Sequence, residues 1–125
     1  MPEKRSVTLL QLFIPSADRY GVAVPEQDEW VEKALTMLGT CFGGGTAFPK
    51  AKGVWRDDER EGELVYDEPV IMQCYTSLDA IEEHQETFGE FLHEMGVQMR
   101  QGAVAYVIDQ ELIEIGFPLE GEADA

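Results

Sequence analysis

Basic residues are almost missing from the second half of this chain. Residues 63–125 contain fifteen Asp and Glu and one base, Arg100, whereas residues 1–62 contain ten acids and eight bases. The halves therefore carry net charges of −14 and −2, which sum to −16. Such a surface repels nucleic acid and anionic lipid and attracts cations or basic partners. Because the first half is nearly balanced, a local acidic surface explains this charge better than adaptation of the whole surface to high salt.

Cysteine and long apolar runs are also scarce. The two cysteines, Cys41 and Cys74, cannot form a disulfide framework, which favours a reducing, cytoplasmic location. The apolar run at 7–14 is too short to span a bilayer and has no small-residue cleavage site after it. We therefore expect neither a signal peptide nor a membrane segment.

Motifs that carry catalysis or bind metals are missing as well. The sequence contains no CxxC pair, no HExxH motif and no Ser/His/Asp arrangement, so it assigns no catalytic residue. His84 and His93 fall on opposite faces of one predicted helix and cannot ligate one metal ion. The Glu90-x-x-His93 spacing occurs in di-iron helical bundles, but the second motif that such sites need is missing. We predict neither a metal nor a cofactor.

The pattern of apolar and turn-forming residues predicts five strands and two helices. The strands are expected at 7–14, 46–55, 63–75, 103–108 and 112–117. The first helix is expected to begin near Pro25 and to end at the glycines 43–45. Thr76 or Ser77 is expected to cap the second helix, and Gly102 to end it.

This order predicts an α+β fold of the ferredoxin-like βαββαβ type, with an extra C-terminal strand. Its sheet is mostly antiparallel, and both helices lie on one face. The strands at 46–55 and 63–75 are expected to form one long hairpin, in which Pro69 marks a bulge or an unpaired edge. Residues 1–119 form a single domain, and 120–125 are expected to be a disordered acidic tail.

Two helices cover only one face of such a sheet, yet its central strands carry apolar residues on both faces. The uncovered face would expose an apolar patch large enough to indicate a partner or a ligand. A homodimer that packs sheet on sheet satisfies this requirement and sometimes leaves a ligand cavity between the layers.

Two segments have the composition of a ligand site. The glycine run 43–45 runs from helix to strand, which is the wrong order for a phosphate loop, so a helix end is the better interpretation. The segment 50–56 combines Lys and Arg with an aromatic ring that could stack on a planar anion, although a solvated hairpin is the simpler interpretation. The candidate ligand-binding residues are Thr46, Trp55, Tyr75, His84 and Tyr106.

The stretch Gly43-Gly-Gly-Thr46, then Gly53-Val-Trp55-Arg56-Asp57 and Glu68-Pro-Val-Ile71, resembles a family of small bacterial proteins of uncharacterised function. These proteins pair a Gly-rich turn and a threonine with a downstream Gly-x-Trp and a strand. The resemblance covers about residues 20–76 and implies a ferredoxin-like fold, but no activity.

The sequence leads to three functional hypotheses. The first is a small homodimeric interaction or regulatory protein that docks a basic partner through acidic residues of its second helix, Glu82, Glu83, Glu86, Glu90 and Glu94. The second is a dimeric α/β-barrel-type small-molecule enzyme or ligand sensor with a cavity between sheet and helices. The third is weak binding of divalent cations by the helix carboxylates. We favour the first over the second by a small margin.

Overall fold

The computed structural model of the protein describes residues 2–119, so the expected acidic tail at 120–125 lies outside the described residues. Within this range the chain forms seven strands and three α-helices. In chain order they are β1 (Thr8–Ile14), α1 (Gln27–Phe42), β2 (Thr46–Ala47), β3 (Gly53–Asp57), β4 (Glu63–Asp67), β5 (Val70–Thr76), α2 (Leu78–Glu83), α3 (Gln85–Gln98), β6 (Ala103–Ile108) and β7 (Glu111–Gly116).

The predicted ferredoxin-like architecture is confirmed. Five strands form the main sheet in the order β2-β5-β1-β6-β7, and every neighbouring pair is antiparallel. The first four of these strands have the order expected for a βαββαβ fold, and β7 is the extra edge strand. The remaining strands, β3 and β4, pair only with each other.

The core fills the space between the main sheet and the helices. Strand β1 alternates buried and half-buried side chains, so that Leu10, Leu12 and Ile14 point toward the helices. They meet Met72 of β5 and further buried residues of the helices and the following turn, which include Leu38, Leu92, Met95 and Met99. Burial of each such side chain contributes roughly 1.5–3 kcal/mol.

The predicted long hairpin is wrong in its extent. Each of its two predicted strands divides in two, so that β2 joins β5 while β3 and β4 form a separate five-residue hairpin. The strands divide at segments that contain Pro49 and Pro69. Proline has no amide hydrogen to donate to a neighbouring strand, so it interrupts the pairing there. Pro69 thus separates two strands, where a bulge or an unpaired edge was expected.

The second predicted helix also differs. Ser77 caps it as predicted, and its hydroxyl accepts a hydrogen bond from the Ala80 amide at 3.1 Å. The helix then divides at His84 into α2 and α3 and ends at Gln98, before Gly102. Arg100 makes the left-handed turn that glycine was expected to make (φ 55°), and the Gln101 amide bonds to the Gly96 carbonyl at 2.9 Å.

The opposite face of the sheet carries no helix within residues 2–119. Side chains that alternate with the core residues, such as Gln11, Phe13 and Gln73, lie on this open face. None of the helices in the described part of the chain is long and apolar enough to cross a membrane. The separate hairpin approaches one end of the open face, and this approach creates the site described next.

Candidate functional site

A cleft of about 840 Å³ lies between the open sheet face and the β3–β4 hairpin. Its floor comes from β1, β6 and β7, through residues such as Phe13, Ala105 and Gly116, and Trp55 and Val65 line it from the hairpin. This volume is within the usual range of small-molecule sites. The hypothesis drawn from the sequence placed a cavity between the sheet and the helices. That is the opposite face of the sheet, where side chains of the core fill the space.

The alternation of the hairpin strands decides which of its side chains line the cleft. In the β3–β4 register Trp55 pairs with Val65, and both line the cleft. The next pair toward the loop, Arg56 and Leu64, alternates to the other face, as do Val54 and Tyr66. Tyr66 is accordingly 70% exposed. The hairpin therefore has one face toward the cleft and one face toward solvent.

Side-chain hydrogen bonds fasten the hairpin to the sheet. The amide and the hydroxyl of Ser16, two residues after β1, both donate to the carboxylate of Asp67 at the end of β4, the amide at 2.8 Å. The Ser16 hydroxyl also accepts from the Glu68 amide at 2.8 Å. The Gln27 side-chain amide donates to the carbonyls of Ile14 and Glu68 at 3.1 and 2.9 Å. These bonds hold Asp67 in the cleft wall.

The cleft is strongly acidic. Its lining includes five carboxylates and one guanidinium, those of Asp18, Asp57, Glu59, Asp67, Glu114 and Arg19. Part of this charge is already compensated, because Asp57 accepts a hydrogen bond from the Glu59 amide at 3.1 Å and lies 4.0 Å from Arg60. The excess of carboxylates favours a ligand with positive charge.

Aromatic rings supply the apolar surface of the cleft. Trp55 lines it from the hairpin and is 44% exposed. Phe13 lines it from the sheet. Phe117 borders it with its backbone, since its carbonyl accepts a hydrogen bond from Arg19, while its ring lies on the helix side and packs on His93, with ring centroids 5.5 Å apart. An indole beside carboxylates can hold a flat ring by stacking and a cation by its π-face.

Of the five predicted ligand-binding residues, only Trp55 lines this cleft. His84 and Tyr106 pack toward the helices, where His84 contacts Phe42 edge-on at 5.8 Å and Tyr106 contacts Phe88 at 5.1 Å. Thr46 lies on the edge strand β2 and Tyr75 near the end of β5, and both are exposed outside the cleft lining. The five residues thus do not form one site.

The predicted acidic surface is present on the helices. Glu82, Glu83, Glu86, Glu90 and Glu94 are all exposed, and none of them forms an ion pair within residues 2–119. Glu94 accepts a hydrogen bond from Gln98 at 3.1 Å. These side chains stand outside the cleft and form a separate surface.

Neither cysteine lines the cleft. Cys74 points into the core, and burial raises the pKa of its thiol from 9.0 to about 11, so it is a neutral thiol at physiological pH. Cys41 is half-buried on α1. No cluster of three His, Cys, Asp or Glu side chains suited to a metal ion occurs in the described part of the chain.

Sequence reasoning missed most of the cleft residues, including Asp18, Arg19, Asp67 and Phe117. Asp18 and Arg19 follow Pro15 in the loop after β1, and Asp67 stands two residues before Pro69. Pro15 was expected to end the first strand, and Pro69 only to mark a bulge or an unpaired edge. Polar residues beside such breaks, where functional loops are common, were the available signal.

Comparison with known proteins relates the fold to solved structures. No family model matches the chain, and no curated protein matches it. A phage SAM lyase in complex with S-methyl-5′-thioadenosine matches with a TM-score of 0.60 and 14% identity, over 94% of this chain and 96% of that one. The same kind of enzyme in its apo state matches with the same TM-score and identity, over 94% and 95% of the two chains. At this identity the likeness concerns the fold.

Proposed function

We propose that the cleft binds a cationic nucleoside of the S-adenosylmethionine (SAM) class and that the protein is a small-molecule enzyme acting on it. The observation that carries this proposal is the composition of the cleft, which combines an indole ring with an excess of carboxylates in about 840 Å³. We therefore favour the hypothesis of a small-molecule enzyme over that of an interaction protein, which the sequence alone favoured by a small margin.

The chemistry of SAM matches both features of the cleft. Its adenine is a flat ring suited to stacking on Trp55, and such stacking is worth roughly 1–3 kcal/mol. Its sulfonium and ammonium groups are cations, which the carboxylates of Asp57 and Asp67 would attract. Trp55 and Asp67 lie on the same face of the hairpin, so one ligand could contact both.

The likeness to a SAM lyase supports the same class of substrate and suggests the reaction. Conversion of SAM into S-methyl-5′-thioadenosine breaks the bond between sulfur and Cγ of the methionyl group. An oxygen of the substrate's own carboxylate can form the new bond to Cγ, which closes a lactone and needs no further reactant. The bonding electron pair stays on sulfur, which loses its positive charge. An acidic cleft therefore holds the sulfonium substrate more tightly than the neutral thioether product, which favours product release.

Titration of the protein with SAM, followed by Trp fluorescence, tests the binding. Trp30 is 2% exposed in the core, so a ligand in the cleft should change mainly the emission of Trp55. We expect saturable binding that weakens as salt is raised. Chromatography of the reaction mixture should then show S-methyl-5′-thioadenosine. A flat titration at millimolar SAM would exclude the proposal.

The exposed helix carboxylates favour a second function, which is docking of a basic protein partner. Its test is binding of an oligolysine peptide to the protein and to a Glu86→Lys, Glu90→Lys variant. A matched control reverses Glu3 and Glu111, which are exposed elsewhere. Loss of binding in the helix variant alone would support docking, and equal binding by all three proteins would exclude it.

We also propose that the rest of the open sheet face forms a homodimer and that the protein is cytoplasmic. The exposed side chains of Tyr75 and Leu112 support an interface, since both lie on this face beyond the cleft lining. Native mass spectrometry tests it. A dimer that a Tyr75→Glu substitution dissociates is the expected result, and a wild-type monomer at micromolar concentration would contradict it.

A further inference from the structure

Arg19 is held at one end of the cleft by two backbone contacts. Its amide donates to the carbonyl of Arg100 at 2.9 Å, and its guanidinium Nη1 donates to the carbonyl of Phe117 at 2.9 Å. Gly102 lies beside it, and a methyl group there would meet the Arg19 side chain at 3.7 Å. The guanidinium is thereby positioned between the β1–α1 loop and the residue after β7.

The neighbouring carboxylate does not neutralise Arg19. One oxygen of Asp18 accepts hydrogen bonds from the amides of Tyr20 and Val22 at 2.8 and 2.9 Å. Its other oxygen lies 3.8 Å from the Arg100 guanidinium. Asp18 is thus used by its own loop and by a different arginine.

Arg19 forms no ion pair with a carboxylate anywhere in residues 2–119. A guanidinium has five N–H donors in a planar fork, and the Phe117 carbonyl uses one of them. The remaining donors match a carboxylate in geometry and in charge. Among the described residues that line the cleft, Arg19 is also the only one with a basic side chain.

We propose that Arg19 binds the carboxylate of the ligand, so that the cleft selects a sulfonium nucleoside that carries a complete amino acid. This inference rests on the proposed function and deepens it. A ligand carboxylate would be repelled by Asp57, Asp67 and Glu114 elsewhere in the cleft. Its position is therefore restricted to the Arg19 end, which orients the ligand with its cationic groups toward the acids.

A comparison of SAM with decarboxylated SAM tests this proposal, because the two explanations predict opposite preferences between these ligands. It lacks the carboxylate and has one more net positive charge than SAM. A cleft that attracts ligands by acidity alone would bind decarboxylated SAM more tightly. If Arg19 binds the carboxylate, the wild-type protein should instead prefer SAM, by about 10-fold or more, since a charged hydrogen-bonded pair is worth about 1.5–3 kcal/mol.

Substitution of Arg19 then assigns the preference to this residue. Arg19→Gln should weaken SAM binding about 10- to 100-fold, leave decarboxylated SAM unchanged or tighter, and so reverse the preference. Arg19→Lys should restore part of it. Arg56→Gln is the matched control, because Arg56 lies on the solvent face of the hairpin and forms an ion pair with Asp58. Circular dichroism and thermal melting verify that each variant is folded.

A wild-type preference for decarboxylated SAM would overturn the role of Arg19, as would an equal loss of both ligands in a folded Arg19→Gln variant. Failure of the proposed function has a different signature, namely that wild-type protein binds neither nucleoside. In that case the probes are L-methionine and 3-(methylthio)propylamine, followed by NMR. Methionine binding that Arg19→Gln abolishes would retain the carboxylate site, and no methionine binding would overturn it too.

Discussion

Ser16 and Asp67 are joined by two hydrogen bonds although they stand 51 residues apart in the chain. The Ser16 amide and hydroxyl both donate to the same carboxylate oxygen, Oδ1. This contact connects the end of β1 to the end of β4, and so fixes one wall of the cleft against the sheet.

Removal of the Ser16 hydroxyl should affect both stability and binding. In Ser16→Ala the Asp67 carboxylate and the Glu68 amide each lose a partner, which should lower the free energy of unfolding by about 1–3 kcal/mol. Urea denaturation measures this loss, and SAM affinity should fall as well. Ser77→Ala is the control, since loss of that helix cap costs about 1 kcal/mol and should leave affinity unchanged. Equal SAM affinity in the two variants would exclude a role of Ser16 in the cleft.

Two aromatic residues on opposite faces of the hairpin allow a direct test of where the ligand lies. Trp55→Ala should weaken SAM binding about 5- to 100-fold, because stacking is lost. Tyr66→Ala, on the solvent face, should have no effect on affinity. Isothermal calorimetry serves both variants, since it does not depend on the Trp55 signal. Comparable losses in the two variants would indicate a general disturbance of the hairpin.

Gly96 and Gly89 lie on the same helix but in different surroundings. A Cβ at Gly96 would overlap the Phe117 ring and come within 2.9 Å of the Val104 side chain, whereas one at Gly89 meets nothing. Gly96→Ala should therefore destabilise the protein by roughly 1–3 kcal/mol. Gly89→Ala should stabilise it by up to about 1 kcal/mol through helix propensity. Thermal denaturation of both variants measures the difference, and similar melting temperatures would contradict the packing of Phe117 on α3.

The raised pKa of Cys74 predicts a loss of stability at alkaline pH. Between pH 9 and about 11 the thiol keeps its proton in the folded protein and loses it in the unfolded chain. The free energy of unfolding should therefore fall as the pH rises through this window, by roughly 1–3 kcal/mol. Cys74→Val removes this contribution, so the stability of wild type relative to the variant should decline from pH 8.5 to 11. A constant difference would show that the thiol titrates normally in the fold.

The elements that the sequence predicted well are those with a local pattern. In β1 buried and half-buried side chains alternate, and α1 has apolar residues at helical spacing. Strand β6 has the predicted bounds. Each of these elements can be recognised from a few consecutive residues. The order of these elements then limits the topology to very few choices. For this reason the sequence was sufficient to predict the ferredoxin-like fold, although it did not predict which residues pair across neighbouring strands.

The cleft could not be predicted in the same way, because its residues come from three separated parts of the chain. Trp55 could be identified as a candidate because its segment combines basic residues with an aromatic ring. The residues that face it across the cleft depend on where the hairpin folds back onto the sheet. That position depends on the Ser16–Asp67 contact, which has no local pattern. Tyr106 shows a different failure. It lies two residues from the buried Val104, so both side chains are on the same face of β6. This spacing already indicated that Tyr106 packs toward the core and not into a ligand site.

The hairpin leaves the sheet after β2 and returns to it at β5, and these two strands are paired with each other. The four-stranded ferredoxin-like order is already complete without the hairpin, and Val65, its buried residue, does not belong to the main core cluster. The chain thus separates the part that determines folding from a part that can vary. Apart from Asp67, which anchors the hairpin to Ser16, substitutions in the hairpin should therefore cost the scaffold little stability. Under the proposed function, such substitutions would let the same scaffold evolve new specificities.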